Sequence, residues 1–414
     1  MNKLTTEDIK TANNRLEGIV TKTPLEYSER LSKKYDAKIY IKREDLQPVR
    51  SYKLRGAYNL IGSLSKAERK RGVVCASAGN HAQGVAFSCQ KLKINGTIFM
   101  PKTTPRQKVD KVEVFGAGFV KIVLIGKTFD ESSQAAVKFA DDNNAVYVHP
   151  FDDYRTMAGQ GTVGLEIIAD LPDVSCLILP IGGGGLVSGV GTYVKSINKQ
   201  IQIFGVEPSG AAGMMYSLDN NCVTELGTID PFVDGAAVKK VGTKTFKIAK
   251  SVMDDIIAVP EGQVCATMID LYQKDGIIAE PAGALSIAAL QQYSNAIKGK
   301  TVVCVLSGGN NDIARYPEII ERSLVHQGLK HYFIVEFFQK PGELMTFVTK
   351  ALGPKDDITR FEYIKKTNKE KGPALVGIEL SSKSDLTSLI SRMEKYEISY
   401  KLINQNDPLY SLVV

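Results

Sequence analysis

The sequence predicts an α/β protein with parallel sheets, followed by a smaller α+β domain. Up to about residue 320, short apolar runs alternate with longer amphipathic stretches, which is typical of βαβ units whose sheet is covered on both faces. Beyond residue 327 the predicted order becomes β, α, β, β, α, β within about 85 residues, which is a ferredoxin-like order. A length of 414 residues accommodates two to three domains.

The strands of the first part are short apolar runs bounded by turn residues, and amphipathic stretches between them predict helices. Three of these helices are predicted at residues 129–142, 157–168 and 262–273. The strands are predicted at residues 37–41, 72–76, 95–100, 119–125, 145–148, 174–180, 201–206 and 301–306.

The second part has its own set of elements, so a domain boundary is expected near residue 327. The catalytic residues should lie before this boundary, in a domain of residues 1–320. A linker is predicted at 321–330 and a second domain at 331–414. Its strands are predicted at 332–338, 358–364, 374–380 and 400–403, with one helix beginning at 341 and another at 385–396.

Composition excludes several function classes. The net charge of +7 is scattered, and the densest basic cluster, residues 66–71, predicts a solvated helix face rather than a nucleic-acid site. No run of about 20 apolar residues suits a membrane span, and the first residues lack an apolar signal region. None of the six cysteines lies in a CxxC or CxxH spacing, which favours free thiols, no metal site and a cytoplasmic location.

Four consecutive glycines, Gly182 to Gly185, carry the strongest local signal. They follow the predicted strand 174–180 and precede Leu186, which can open a helix, and a strand, a glycine loop and a helix N-terminus together form an anion site. A Walker loop is excluded because no lysine follows before Lys195. A dinucleotide fingerprint is excluded because its last glycine position holds Val187 or Ser188. A tight turn without a ligand remains the alternative.

Lys53 stands at the start of a predicted helix. Alone it would be an ordinary solvated lysine, but a lysine in a dry pocket has a lowered pKa and can form a Schiff base. An aldehyde cofactor that carries a phosphate needs both such a lysine and an anion loop. Pyridoxal phosphate fits both demands.

Two further turns follow predicted strands. Residues 77–84 open a helix and form a second anion-competent turn, suited to a carboxylate, in which Asn80 could bond a phenolate oxygen or act as an ordinary N-cap. Ser307 follows the strand 301–306, where it could bond a pyridine nitrogen or form a plain βα turn. Because parallel strands end at one edge of a sheet, these segments can converge.

These segments together resemble the signature motifs of the fold-type II pyridoxal-phosphate enzymes, which have the fold of the tryptophan synthase β-subunit. Within that group the chain is similar to the biosynthetic threonine dehydratases over essentially its whole length. The tail, at 353–363 and 372–379, resembles their single ACT-like regulatory domain. The matching segments of the first part are residues 51–57, 77–84, 149–153, 182–186, 234–238, 280–284 and 307–311.

The resemblance implies a two-lobed catalytic domain, with a smaller lobe of roughly residues 50–150 inserted in the larger one. It implies pyridoxal phosphate as cofactor and the conversion of L-threonine, with L-serine as secondary substrate, to 2-oxobutanoate and ammonia in the first committed step of isoleucine biosynthesis. Isoleucine is the implied effector of the tail. A homodimer or homotetramer without nucleic-acid or membrane partners is expected.

The resemblance also implies a role for each motif. Lys53 would hold the cofactor and later remove the α-proton, Asn80 would bond the 3-hydroxyl group, and Ser307 would bond the ring nitrogen. The turn that binds the substrate carboxylate comprises Ser77, Ala78, Gly79 and His81. The backbone amides that cradle the phosphate belong to Gly182, Gly183, Gly184, Gly185 and Leu186.

Departures from related enzymes narrow the reaction. Serine racemases have a second serine where this chain has Ala78, so racemisation should be poor. They also have an acidic residue six positions after the metal-binding glutamate. In this chain the residue six positions after Glu207 is Gly213, so a racemase-type divalent-cation site is not expected. Two alternatives remain: a catabolic serine/threonine dehydratase, although these generally lack a regulatory tail, and an amino-acid-binding regulatory protein without catalysis, which the retained Lys53 disfavours.

Overall fold

The computed structural model describes residues 3–364, 369–404 and 407–413. Its contacts divide the chain into two units. The first comprises Met1–Glu261 and Leu271–Asn311, and the second comprises Gly262–Asp270 and Asp312–Val414. Sequence analysis placed the end of the first domain at 320, whereas the contacts of the first unit end nine residues earlier, at Asn311.

Two sheets form the framework of the first unit. The larger sheet has the order β1-β2-β10-β7-β8-β9 and the smaller has the order β5-β4-β3-β6; all pairs are parallel except β1 with β2. The smaller sheet lies between β2 and β7 along the chain. The strands are β1 (Leu25–Tyr27), β2 (Lys38–Arg43), β3 (Val73–Ala76), β4 (Gly96–Met100), β5 (Val120–Leu124), β6 (Val146–Tyr147), β7 (Cys176–Pro180), β8 (Gln202–Pro208), β9 (Asp255–Val259) and β10 (Thr301–Leu306).

Helices connect these strands, and several begin at side-chain caps. Thr5 and Ser65 each form a capping box with the acidic residue three positions later, and the Thr128 side chain accepts from the Glu131 N–H. The helices are α1 (Thr6–Leu16), α2 (Glu29–Tyr35), α3 (Lys53–Gly62), α4 (Lys66–Arg71), α5 (Asn80–Leu92), α6 (Arg106–Gly116), α7 (Phe129–Asp142), α8 (Tyr154–Asp170), α9 (Gly185–Ile197), α10 (Gly213–Asp219), α11 (Thr243–Val252), α12 (Glu261–Asp275), α13 (Pro281–Ala288) and α14 (Ser294–Ile297).

The strands that precede the predicted site are almost entirely buried. All residues of β3 and β7 are buried, and β10 is buried from its second residue onward. Each leads directly into a turn that carries predicted site residues: Ser77 follows β3, Gly182 follows β7 and Ser307 follows β10. Continuous apolar strands therefore fix the positions of these turns.

The second unit is a four-stranded antiparallel sheet with the order β12-β13-β11-β14. One face carries a core that includes Phe333, Val335 and Phe347. Residues 321–330, predicted as a linker, include the end of a helix. The elements are α15 (Tyr316–His326), β11 (Lys330–Phe338), α16 (Glu343–Thr346), β12 (Asp357–Tyr363), β13 (Lys371–Glu379), α17 (Asp385–Lys395), β14 (Ser399–Ile403) and α18 (Tyr410–Val413).

The predicted fold class, parallel α/β followed by a ferredoxin-like α+β unit, is confirmed. Every predicted strand corresponds to a strand of the structure, whereas β1 and β9 were missed. No helix among the described residues is long and apolar enough to cross a membrane.

Candidate active site

Lys53 is the first residue of α3 and is partly buried. Its Nζ lies 5.2 Å from the centroid of the Tyr52 ring, and no described residue offers it a hydrogen-bond acceptor. Burial lowers the pKa values of His81 and His149 and raises that of Glu280; the Lys53 charge adds a smaller lowering effect on all three, so these side chains lie within electrostatic range of Lys53. An amine without a partner among the described residues is available for covalent chemistry.

Backbone hydrogen bonds join the Lys53 turn to the Ser307 turn. The Tyr52 N–H donates to the Ser307 carbonyl at 3.1 Å, and the Gly309 N–H donates to the Arg50 carbonyl at 2.9 Å. Between them, Ser51 and Gly308 form an isolated antiparallel bridge. Two segments about 250 residues apart in the chain are therefore held as one short antiparallel ladder.

Asn80, the first residue of α5, lies beside this ladder. Its Oδ1 accepts from Asn310 Nδ2 at 2.8 Å, and its Nδ2 donates to Glu280 Oε1 at 2.6 Å. The Glu280 N–H in turn donates to the Gly308 carbonyl at 3.1 Å. Burial, together with the nearby Asp234 charge, raises the pKa of Glu280 to about 7, against the lowering effect of the Asn80 hydrogen bond.

The glycine loop runs from the end of β7 into α9, which begins at Gly185. Among the described residues, the backbone N–H groups of residues 182–186 have no hydrogen-bond partner, as expected for groups that precede or open a helix. Gly184 has a φ of 89°, in the left-handed region. Unpaired N–H groups at a helix N-terminus are suited to bind a phosphate.

Close neighbours explain why this loop has no side chains. A Cβ on Gly183 would lie 2.2 Å from Cδ1 of Phe151, and a Cβ on Gly182 would lie 2.9 Å from the Ala236 carbonyl oxygen. The Thr245 hydroxyl donates to the Gly183 carbonyl at 2.6 Å and fixes the loop from the other side. The loop is therefore preformed by packing and hydrogen bonding.

Phe151 also connects the glycine loop to the surroundings of Lys53. Its ring lies edge-on to His149, with centroids 4.7 Å apart. His149 Nδ1 accepts from the backbone N–H groups of Phe151 and Asp152, at 3.2 and 2.8 Å. Burial lowers the pKa of His149 to about 4, so this ring is neutral and acts as an acceptor. The glycine loop and Lys53 thus share one environment.

The turn that follows β3 has the features of a carboxylate site. The Gly79 N–H donates to Ser77 Oγ at 3.2 Å, whereas the backbone N–H groups of Asn80 and His81 have no partner among the described residues. The His81 side chain is buried, with Nε2 2.8 Å from the Val148 carbonyl, and burial lowers its pKa to about 3. Within this turn, the groups available to an anion are backbone N–H groups.

Ser307 is 3% exposed, and its hydroxyl donates to the Ala282 carbonyl at 3.2 Å. While this hydrogen bond is kept, the oxygen can accept from a protonated ring nitrogen. If the hydroxyl rotates, it can instead donate to an unprotonated one. The side chain therefore suits a heterocyclic nitrogen in either protonation state.

The region of the racemase-type cation site is organised differently. Glu207 is fully buried and accepts from the N–H groups of Met214 and Met215, both at 2.8 Å, so its carboxyl group caps α10. Within the described ranges, no cluster of three or more His, Cys, Asp or Glu side chains could hold a metal ion.

The structure brings Lys53, Asn80 and Ser307 into one connected network, and Phe151 links the glycine loop to His149, which feels the charge of Lys53. Sequence reasoning did not assign roles to Asn310, Glu280, Phe151 or Thr245, although the first three lie in motifs that carried the resemblance. Asn310 lies within the predicted Ser307 turn, but its pairing with Asn80, like that of Glu280, is not indicated by any local pattern.

Comparison with known proteins gives a family match for each part of the chain. Residues 16–308 match the family model described as pyridoxal-phosphate dependent enzyme, and residues 321–413 match the C-terminal regulatory domain of threonine dehydratase. The chain is 53% identical to L-threonine dehydratase biosynthetic IlvA of Halalkalibacterium halodurans, with full coverage of both chains. It is also 53% identical to the Bacillus subtilis protein of the same name, covering 97% of this chain and 96% of that one.

Two solved structures are similar in fold. The processed form of threonine deaminase isoform 2 from Solanum lycopersicum superposes with a TM-score of 0.72 at 38% identity, covering 78% of this chain and 95% of that chain. Maize serine racemase gives a TM-score of 0.72 at 29% identity, covering 78% and 98%. The fold-type II architecture that the motifs implied is confirmed.

Proposed function

This chain belongs to the pyridoxal-phosphate-dependent threonine dehydratases, and on that premise we propose that it deaminates L-threonine to 2-oxobutanoate and ammonia. This reaction is the first committed step of isoleucine biosynthesis. The observation that carries the proposal is the network that joins Lys53, Asn80 and Ser307 beside a glycine loop with unpaired N–H groups. The regulatory match at residues 321–413 favours the biosynthetic enzyme over a catabolic one.

The site fits pyridoxal phosphate. The unpaired N–H groups of residues 182–186 would hold the phosphate, and Lys53 would hold the aldehyde carbon. Asn80 has one amide hydrogen beyond the one given to Glu280 and would donate it to the 3-hydroxyl group, while Ser307 would contact the ring nitrogen. When bound, the cofactor withdraws electrons from the substrate's α-carbon.

The protein supplies positioning and proton transfer. The turn at Ser77, Ala78, Gly79 and His81 would bind the substrate carboxylate, chiefly through unpaired backbone N–H groups such as that of His81, and would orient the α-hydrogen. Lys53, once released, would remove the α-proton as a neutral amine. The α-proton and the β-hydroxyl leave as water, and a water molecule then releases the amine as ammonia. No oxidant or reductant is consumed.

The proposal also covers the effector and the oligomeric state. Isoleucine is proposed as the effector, supported by the regulatory unit and by its place as the end product. A homodimer or homotetramer is proposed, supported by large apolar side chains that are exposed on the regulatory unit and suited to self-association. These side chains are Phe338, Leu344, Met345 and Val348. A monomer in light scattering at working concentration would contradict the oligomer.

Two finer points complete the proposal. L-serine is proposed as a secondary substrate, because one methyl group contributes only about 1–3 kcal/mol of discrimination. A cytoplasmic location is proposed because all six cysteines are free thiols, which suits a reducing compartment.

The test is 2-oxobutanoate formation from L-threonine by the purified, cofactor-loaded protein, with and without L-isoleucine. Turnover that isoleucine suppresses is expected. Turnover that isoleucine does not change would support the dehydratase activity but would contradict isoleucine as the effector. No turnover by a protein that binds the cofactor would overturn threonine as substrate.

The variant Lys53→Ala tests the site itself. We expect loss of both activity and cofactor colour, because no other described group at the site is an unpaired amine. Lys66→Ala is the matched control, since Lys66 is also the first residue of a helix but is exposed. Dehydratase activity that survives in Lys53→Ala would remove Lys53 from the mechanism.

A further inference from the structure

The Asn310 side chain connects the three turns that carry Lys53, Asn80 and Ser307. It stands three residues after Ser307, and its Nδ2 donates both to the Val49 carbonyl at 2.7 Å and to Asn80 Oδ1 at 2.8 Å. Val49 is fully buried and lies four residues before Lys53. Both hydrogens of one amide group are therefore used between turns that are distant in sequence.

These contacts set the orientation of the Asn80 amide. A backbone carbonyl only accepts, so the Val49 contact requires the NH2 group of Asn310 to point towards it. The same NH2 group then requires an acceptor at Asn80, which places Asn80 Oδ1 towards Asn310 and Asn80 Nδ2 towards Glu280. The donor end of Asn80 is thus fixed by a neighbour that lies 230 positions further along the chain.

We propose that Asn310 is a positioning residue for the cofactor: it holds the Asn80 amide with its nitrogen directed to the bound group. The inference rests on the proposed function, because it assumes that Asn80 donates to the 3-hydroxyl group. Asn310 does not itself reach the cofactor in this scheme. It acts by preventing the Asn80 amide from rotating by half a turn, which would present an oxygen instead of a donor.

The turns do not depend on Asn310 to remain together. The ladder formed by Tyr52 with Ser307, and by Gly309 with Arg50, is made by backbone groups that no side-chain substitution removes. Replacing Asn310 should therefore leave the fold and the Lys53 turn in place. The expected effect is local and is transmitted through the orientation of Asn80.

A double-mutant cycle on the full-length protein tests the proposal. The dissociation constant of pyridoxal phosphate is measured by absorbance titration for the wild type, Asn310→Ala, Asn80→Ala and the double variant. Asn310→Ala should weaken binding by about 2- to 10-fold, the effect of one oriented hydrogen bond. In the Asn80→Ala background the same change should have no further effect, because no amide remains to be oriented.

Two more variants separate orientation from shape and stability. Asn310→Asp keeps the shape but directs a carboxylate oxygen at two acceptors, so it should weaken binding more than Asn310→Ala does. Asn143→Ala is the matched control: the Asn143 amide also donates to a backbone carbonyl, at 2.9 Å, but on an exposed surface, so cofactor affinity should not change. Thermal unfolding of each cofactor-free variant detects a general loss of structure.

The outcomes are distinguishable. Unchanged affinity in Asn310→Ala, or equal losses in the wild-type and Asn80→Ala backgrounds, would overturn the inference and leave the proposed function intact. A wild-type protein that does not bind pyridoxal phosphate would overturn the proposed function instead. Effects that are absent in the Asn80→Ala background would establish that Asn310 acts through Asn80.

Discussion

The substitution Lys42→Met tests whether a buried charge cluster supports the helix that presents Lys53. Lys42, on β2, is fully buried; its Nζ donates to Glu166 Oε2 at 2.6 Å and to the Thr23 carbonyl at 2.7 Å. Glu166 also accepts from Arg55, a residue of α3 two positions after Lys53, and Arg55 binds Glu44 as well. Two cations and two carboxylates therefore balance in a space without solvent.

Removal of Lys42 leaves this cluster with an uncompensated negative charge and leaves the Thr23 carbonyl without its ammonium donor. Breaking a buried ion pair on one side costs about 3–5 kcal/mol, because the remaining charge stays desolvated. At about 2 °C per kcal/mol, this corresponds to a fall of roughly 6–10 °C in the unfolding temperature. Methionine fills much of the lysine volume, so a cavity contributes little to the loss.

The assay is thermal unfolding of the cofactor-free protein, followed by circular dichroism. Lys22→Met is the matched control: Lys22 also pairs with a carboxylate, Asp170, but its side chain is 64% exposed. Exposed pairs contribute about 0–1 kcal/mol, so the control should shift by at most about 2 °C. Equal falls in unfolding temperature for Lys42→Met and Lys22→Met would refute the argument that burial makes the loss of this ion pair costly.

Two further predictions concern the glycine loop and Glu207. Gly183→Ala should cost about 1–3 kcal/mol and weaken cofactor binding, because its Cβ would lie 2.2 Å from Phe151, whereas Gly227→Ala, which meets nothing within 4 Å, should bind normally in the same titration. Burial raises the pKa of Glu207 from 4.5 to about 8, so the stability contributed by its neutral form is complete below pH 4.5 and is lost as pH rises to about 8. The free energy of unfolding should therefore fall more steeply with pH for the wild type than for Glu207→Gln, by at most about 1.4 kcal/mol per pH unit. Unfolding temperatures measured between pH 5 and 8.5 report this difference, and parallel curves would exclude a raised pKa.

Within the larger sheet, the strands that sequence analysis predicted and the two that it missed differ in their burial. Predicted strands such as β7 and β10 are central, and their continuous apolar runs follow from cover on both faces. The missed strands, β1 and β9, are the two edges of the larger sheet. Their residues are mostly intermediate or exposed, so their composition does not distinguish them from loops.

The same distinction applies to the site. Lys53, Asn80, the glycine loop and Ser307 could be predicted because each lies in a local pattern of a turn next to a strand or a helix. Asn310 and Glu280 could not be assigned in this way. Their positions relative to Asn80 depend on pairing between turns 200 or more residues apart, which no local spacing specifies.

The surroundings of Lys53 support the proposal that the proton transfer falls to it rather than to a histidine. Burial lowers the pKa of His81 to about 3 and that of His149 to about 4, so each is neutral at physiological pH but is a weak base. His81 is further occupied by the Val148 carbonyl, and His149 by two backbone N–H groups. Glu280 accepts a hydrogen bond from the Asn80 amide, which in turn accepts one from Asn310. Lys53 is thus an unpaired amine beside two histidines that are weak bases, which suits its proposed roles of holding the cofactor and then acting as base.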